Sequence, residues 1–245
     1  MNENKRFITF NKLNEFDDLI HFYTKRPFNL NESKLEEEYK TLEDMASYKF
    51  DKIYLSKQTH SANICSIDDD TPLILDNIDG FVTNKRGVAI LTKSADCQSI
   101  LLYDPVNKVI GNVHSGWKGT LAKIITNAIN IMICEYNCNP KNIIACICPS
   151  ILKCCFEVDE DLIEGFKMVH DNIDDLITKG DIINGKQKYY LDTVTINKRE
   201  MIKLGLLEEN IVLSNICTKC NSDIFNSYRA EHNSCRNVAL IGLKK

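Results

Sequence analysis

The sequence predicts an α+β fold built on a mixed β-sheet, in a single domain over residues 1–245. Three observations predict it. The middle of the chain holds strand-length runs rich in Val, Ile and Leu. Several other segments repeat apolar residues at helical spacing. The two kinds of segment do not alternate strictly, which favours α+β over a doubly wound sheet. No internal repeat, low-complexity stretch or Pro/Gly-rich linker divides the chain.

Taken in order, residues 5–10 read as a strand. Residues 31–47 read as a helix, with Leu35, Tyr39, Leu42 and Met45 on one face and acids on the other. Short strands are expected at 52–55, 87–91 and 99–103. Asp104-Pro105-Val106-Asn107 signals a turn, and 109–113 a returning strand. Residues 120–134 read as one helix with Ile124, Ile125, Ala128, Ile129 and Met132 on its apolar stripe. Residues 142–148 suit a buried strand. Residues 159–170 suit a helix opened by acids, which favour the positive end of the helix dipole. Residues 189–205 begin extended and become helical, and late strands fall at Ile211–Leu213 and 238–243.

Composition narrows the function. Hydrophobic residues make up 44% and charged residues 26% of the 245, ordinary values for a globular chain. A net charge of −4 argues against nucleic acid as a partner, although a local basic pocket for one phosphate stays compatible. The opening MNENKRFITFNKLNEFDD lacks a secretory apolar core, and no apolar run reaches the roughly 18 residues of a membrane span. A cytoplasmic protein without a membrane partner is expected. In that reducing setting the 11 cysteines read as buried thiols, metal ligands or catalytic groups rather than disulfides. No Gly-x-Gly-x-x-Gly or Walker loop points to a dinucleotide or P-loop site.

Three segments carry chemistry: Gln58-Thr59-His60-Ser61, Ser94-Ala95-Asp96-Cys97-Gln98 and Val113-His114-Ser115-Gly116-Trp117-Lys118-Gly119. A hairpin turning at Asp104–Asn107 would set Cys97 opposite His114, with Cβ atoms about 4.5–5.5 Å apart. Two side chains at that separation can share a metal ion. Thiolate and imidazole are preferred ligands of Zn²⁺, and three protein ligands leave a fourth position open, as in catalytic sites. The paired glycines after His114 allow close backbone approach to a ligand.

The chain resembles the laccase-domain family, also called YfiH-like and formerly labelled multicopper polyphenol oxidoreductases. The resemblance rests on Gln58-Thr59-His60, Asp79-Gly80-Phe81-Val82-Thr83, Ala95-Asp96-Cys97, Asp104-Pro105 and His114-Ser115-Gly116-Trp117-Lys118-Gly119. It continues through Pro149-Ser150-Ile151, Cys154-Cys155-Phe156-Glu157-Val158, Leu191-Asp192, Cys217-Thr218 and Ser227-Tyr228-Arg229. It implies a large mixed sheet flanked by helices, layered α/β/β/α. It implies zinc ligands at His60, Cys97 and His114, which also carry catalysis. It implies phosphorolysis of purine nucleosides (adenosine, inosine and S-methyl-5'-thioadenosine) together with adenosine deamination. Two departures stand out: Phe22-Tyr23-Thr24-Lys25-Arg26 runs straight into Pro27 without the family's Gly-Gly, and Cys148 replaces a usual Gly. The first suggests a shortened N-terminal wall of the pocket.

On that reading Asp96 is the candidate proton carrier. Arg229 and Lys118 are candidate phosphate anchors, and Gln58 and Ser115 candidate pocket residues. Purine nucleosides and phosphate are the expected partners, for a monomer or small homo-oligomer. Three rivals remain open. A copper-dependent phenol oxidase needs several centres and many histidines, whereas this chain has five: His21, His60, His114, His170 and His232. Cu²⁺ could still enter the site in vitro. A metal-free hydrolase would use Cys97 as nucleophile and His114 as base. Finally, a structural zinc could sit at Cys217/Cys220 or among Cys146, Cys148, Cys154 and Cys155.

Overall fold

The computed structural model describes residues 1–245, apart from the side chains of Asn2 and Glu3. Sixteen strands form three sheets. The first has seven strands in the order β1 (Asn2–Glu3), β2 (Phe7–Thr9), β3 (Leu19–Thr24), β16 (Asn237–Leu243), β8 (Val88–Ser94), β4 (Lys52–Lys57) and β6 (Ile74–Asp76). The second has six: β15 (Ile211–Leu213), β11 (Ile144–Ile147), β9 (Gln98–Asp104), β10 (Val109–Ser115), β7 (Gly80–Thr83) and β5 (Ile64–Ser66). A small third sheet orders β12 (Glu157–Asp159), β14 (Lys186–Leu191) and β13 (Ile177–Ile183). Both large sheets are mixed. β4 runs parallel to β6 and β8, β11 to β15, and β5 to β7, while other neighbours are antiparallel. The helices are α1 (Leu35–Ala46), α2 (Trp117–Leu121), α3 (Ile124–Tyr136), α4 (Glu160–Val169), α5 (Thr193–Lys203) and α6 (Tyr228–Glu231).

The fold is α+β with large mixed sheets flanked by helices, as expected. The central strands are buried on both faces, so each carries adjacent apolar residues rather than a strict apolar–polar alternation. One core lies between the sheets, where Tyr54, Ile90 and Ile241 of the first meet Leu101, Tyr103 and Ile110 of the second. A second core packs the outer face of the six-stranded sheet under α3. Ile124, Ile125, Ala128, Ile129 and Met132 are all fully buried there, the isoleucines and Met132 each contributing about 1.5–3 kcal/mol by the usual transfer bookkeeping. A third core sets α1, through Leu42 and Met45, against the outer face of the seven-stranded sheet. Asn112 fixes the stacking of the two sheets. From β10 it donates to the carbonyls of Ile90 on β8 (3.0 Å) and Ala239 on β16 (2.9 Å), and it accepts from Thr92 Oγ1 at 2.7 Å. A buried amide satisfied this completely holds one alignment, because any slip strands its polar atoms.

Two expectations are corrected. The helix over 120–134 is two helices, α2 and α3. Lys123 adopts a left-handed φ of 56° between them, so the axis turns there. The hairpin register also differs. Val109 pairs with Asp104 and His114 with Ser99, leaving a four-residue loop, Pro105–Lys108. The loop is longer because Asp104 Oδ1 accepts the backbone N–H groups of Val106 (2.8 Å) and Asn107 (3.2 Å), and Lys108 closes the turn at φ 54°. The offset from the expected pairing is two residues, an even number. Side-chain facing repeats every two residues along a strand, so His114 keeps its expected face, while Cys97 itself lies in the link before β9, outside the paired strand.

Candidate active site

Cys97, His60 and His114 come from three separate turns. β10 delivers His114 at its end, next to the glycine that begins α2. Cys97 sits in the tight link between β8 and β9, where Asp96 takes a left-handed φ of 86°. His60 follows β4 in a loop with its own φ at 61°. One ligand atom from each of the three lies within 4.8 Å of the others. The two imidazole rings meet edge to face with centroids 4.9 Å apart. Gly116 makes this approach possible: a Cβ there would stand 2.8 Å from His60 Cδ2 and 3.0 Å from Cys97 Sγ.

Asp79 organises this cluster, although sequence reasoning gave it no role. Its carboxylate is fully buried and takes the Nδ1 hydrogen of His114 at 2.9 Å. The same group accepts the backbone N–H groups of Thr59 (3.1 Å), His60 (3.0 Å) and Ser61 (2.8 Å), and the Ser61 hydroxyl at 2.7 Å. Burial alone would push this carboxyl up, but the bonds from His114 and Ser61 outweigh it and hold it below the usual range. The only sequence signal was the Asp79-Gly80-Phe81-Val82-Thr83 segment. With Nδ1 engaged, His114 turns Nε2 toward the cluster, the arrangement by which carboxylates orient metal-binding histidines.

The electrostatics favour a charged pair. Burial would raise the Cys97 thiol, but the adjacent His114 charge and hydrogen bonds from His114 and His60 bring it down to about 6. Burial would lower His114, yet the Cys97 thiolate and Asp79 raise it to about 9. A thiolate and two imidazoles held this close, one oriented by a buried carboxylate, can hold a divalent metal ion.

The cluster opens into a cavity of about 800 Å³. Trp117, Phe156 and Tyr228 contribute aromatic faces, and Lys57, Lys93, Arg229 and Arg236 contribute positive charge. Lys93, Phe156, Tyr228 and Arg236 were not read as site residues from sequence, because only the fold brings them to one wall. Leu30 and Glu32 also line the cavity, and Glu32 pairs with Lys93. The segment after Pro27 therefore supplies part of the pocket wall. Cys148 lies in the core between the sheets instead.

The remaining predicted residues divide. Gln58 lines the cavity, but its amide is spent on the backbone of Lys93, donating at 2.8 Å and accepting at 2.8 Å. Ser115 bonds Thr120 Oγ1 (2.9 Å) and accepts from Asn197 (3.1 Å). The Asp96 carboxylate accepts from Thr218 Oγ1 (2.7 Å), Ser227 Oγ (2.7 Å) and the Arg229 backbone (2.6 Å), tying three loops together. Arg229 reaches the cavity with its guanidinium over Phe156 and one nitrogen on the Glu157 carbonyl at 3.1 Å. Lys118 does not join them. Its ammonium lies over the Trp117 ring, outside the cavity lining.

Comparison with known proteins agrees with this fold. A family described as multi-copper polyphenol oxidoreductase laccase matches residues 28–244. The chain belongs to that family. Among the relatives of this laccase-type chain, human purine nucleoside phosphorylase LACC1 is 33% identical over 201 residues. The match covers 79% of this chain and 44% of LACC1, so the laccase-type chain spans less than half the length of that relative. Adenosine deaminase RL5, from an unknown prokaryotic organism, is 29% identical over 197 residues, covering 77% of this chain and 74% of RL5. The crystal structure of Bacillus licheniformis hypothetical protein YfiH superposes with a TM-score of 0.88 at 23% identity, covering 99% of this chain and 98% of that one. That likeness establishes the fold.

Proposed function

We propose that this chain is a zinc-dependent purine nucleoside phosphorylase acting on adenosine, inosine and S-methyl-5'-thioadenosine, with adenosine deaminase activity. One observation carries the reading: two imidazoles and a thiolate converge within 4.8 Å at a cavity whose walls are aromatic and cationic. His60, Cys97 and His114 would hold Zn²⁺, which supplies Lewis acidity and acidifies water. Asp79 fixes the His114 tautomer and braces the His60 loop. Trp117, Phe156 and Tyr228 offer faces on which a purine stacks. Lys57, Lys93, Arg229 and Arg236 offer charge to a phosphate. In phosphorolysis a phosphate oxygen bonds the anomeric carbon while the bond to the purine nitrogen breaks, so both ligands must share one cavity. Asp96 holds the loops of Thr218, Ser227 and Arg229 in place; we assign it a positioning role.

The test is incubation of the purified protein with each nucleoside, with and without phosphate. Phosphate-dependent release of free base supports the phosphorylase, and inosine formed from adenosine supports the deaminase. Neither product from zinc-loaded protein would end the proposal.

A second reading, a metal-free hydrolase using Cys97 and His114, draws on the thiolate–imidazolium pair. Under it, activity survives chelation. Copper oxidation of phenols draws on no comparable grouping. His21, His170 and His232 stand outside the cavity lining, and His170 is committed to Glu200 and the Thr120 carbonyl. Metal analysis of protein purified without added copper separates zinc from copper.

A further inference from the structure

The cysteines of the C-terminal half form a second cluster, away from His60, Cys97 and His114. The Sγ atoms of Cys154, Cys155, Cys217 and Cys220 all lie within 4.8 Å of one another. Cys220 Sγ stands 3.4 Å from Cys155 Sγ and 3.8 Å from Cys154 Sγ. A tetrahedral ion with Zn–S bonds of about 2.3 Å sets its sulfurs roughly 3.8 Å apart, so the four atoms already approximate such a shell. The grouping of Cys146 and Cys148 with Cys154 and Cys155, one option the sequence offered for a structural zinc, does not form, because Cys146 and Cys148 are buried between the sheets. The fold instead joins Cys154-Cys155 to the Cys217-x-x-Cys220 turn.

The backbone is arranged for this. Ser150 and Cys217 form a parallel β-bridge, and Thr218 N donates to the Ser150 carbonyl at 3.1 Å, which holds the two loops side by side. The backbone N–H groups of Leu152 and Cys220 are hydrogen-bonded to Cys217 Sγ. Amide donors of this kind stabilise charged, metal-bound sulfur more than a neutral thiol. Four thiols in mutual contact gain little from packing as such, and four thiolates would repel one another unless a cation lay among them.

We propose that Cys154, Cys155, Cys217 and Cys220 form a second, structural metal site that takes one Zn²⁺ in a closed shell of four thiolates. On binding, the four thiols release four protons to solvent and each sulfur forms one bond to the ion. Four protein ligands leave no open position, so this site holds structure and does no chemistry. It pins the 152–155 loop to the 217–220 loop. The first leads from Ile151 to Phe156, both on the cavity wall. The second carries Thr218, whose hydroxyl bonds the Asp96 carboxylate next to Cys97. The ion therefore braces one wall of the cavity.

The experiment is zinc analysis of the full chain purified under reductant, compared with Cys154→Ser and Cys220→Ser. The expected result is a loss of one zinc per chain in each variant, whatever the wild-type total. That difference is independent of whether His60, Cys97 and His114 bind metal. If a variant fails to fold, cobalt-substituted Cys97→Ser protein gives the readout directly. A strong sulfur-to-cobalt charge-transfer band is expected to persist there, since only the four-cysteine site can supply it. Unchanged zinc in both serine variants, iron in place of zinc, a Cys155–Cys220 disulfide in the reductant-purified protein, or absence of the cobalt band would overturn the proposal.

Discussion

Asp79 takes the Nδ1 hydrogen of His114 at 2.9 Å and, through the same oxygen, the backbone N–H of His60 at 3.0 Å. One buried carboxylate thus sets the orientation of two of the three candidate ligands. Asp79→Asn keeps the shape but replaces an acceptor with a donor facing the N–H groups of Thr59 and Ser61. We expect metal affinity to fall about 10–100-fold, measured by competition with a chelator. Stability should fall by about 1–3 kcal/mol, read from denaturant unfolding. Unchanged affinity would remove Asp79 from this role.

Gly116→Ala tests the close approach of the cluster. The new methyl would meet His60 and Cys97 inside contact distance. Overpacking of this kind costs about 1–3 kcal/mol, so roughly a tenfold or greater loss of metal affinity is expected in a chain that still folds. Circular dichroism and metal content, measured on the same sample, separate the two effects.

Metal-stripped protein should show a reactive Cys97. Its thiol is held down to about 6 by His114 and His60, against the opposing effect of burial. At neutral pH the thiolate dominates, but a weaker base attacks more slowly, so the net gain over an ordinary cysteine is only about fourfold. Alkylation mapped by mass spectrometry checks this. Zinc should suppress it, and His114→Gln should slow it in the stripped protein.

His21 gives a pH dependence away from the site. It is 4% exposed and accepts the Phe10 N–H at 2.8 Å. Burial lowers it from 6.5 to about 4. Between those values the unfolded chain binds the extra proton. The stability from neutral His21 is therefore complete above about pH 6.5 and drains away as pH falls toward 4, by roughly 3 kcal/mol. Unfolding at pH 7 and pH 4.5 should differ more in the wild type than in His21→Gln.

Much of this was legible in the sequence, at two different levels. His60, Cys97 and His114 sit in short motifs whose residue types declare their chemistry, and the strands around them are apolar runs of the right length. The hairpin pairing was misjudged by two residues because Asp104 builds a local side-chain turn that dipeptide signals do not specify. Lys123 breaks a helix whose apolar stripe runs on unbroken, so periodicity could not reveal it. Asp79, Lys93 and Arg236 escaped for a different reason. Each lies far along the chain from the residues it serves, and pairing between distant strands brings them together. The four clustered cysteines follow the same rule, since 154–155 and 217–220 meet through a bridge at Ser150 that no local pattern announces.

The position of β16 has a consequence for biosynthesis. Residues 237–243 pair with β3 on one side and β8 on the other, at the middle of the seven-stranded sheet. A nascent polypeptide emerging from the ribosome therefore holds two unpaired strand edges, on β3 and β8, until residues 237–243 have been synthesised. During that interval β3 and β8 are templates for illicit pairing with other chains, an exposure that chaperone cover or rapid translation of residues 237–243 would shorten.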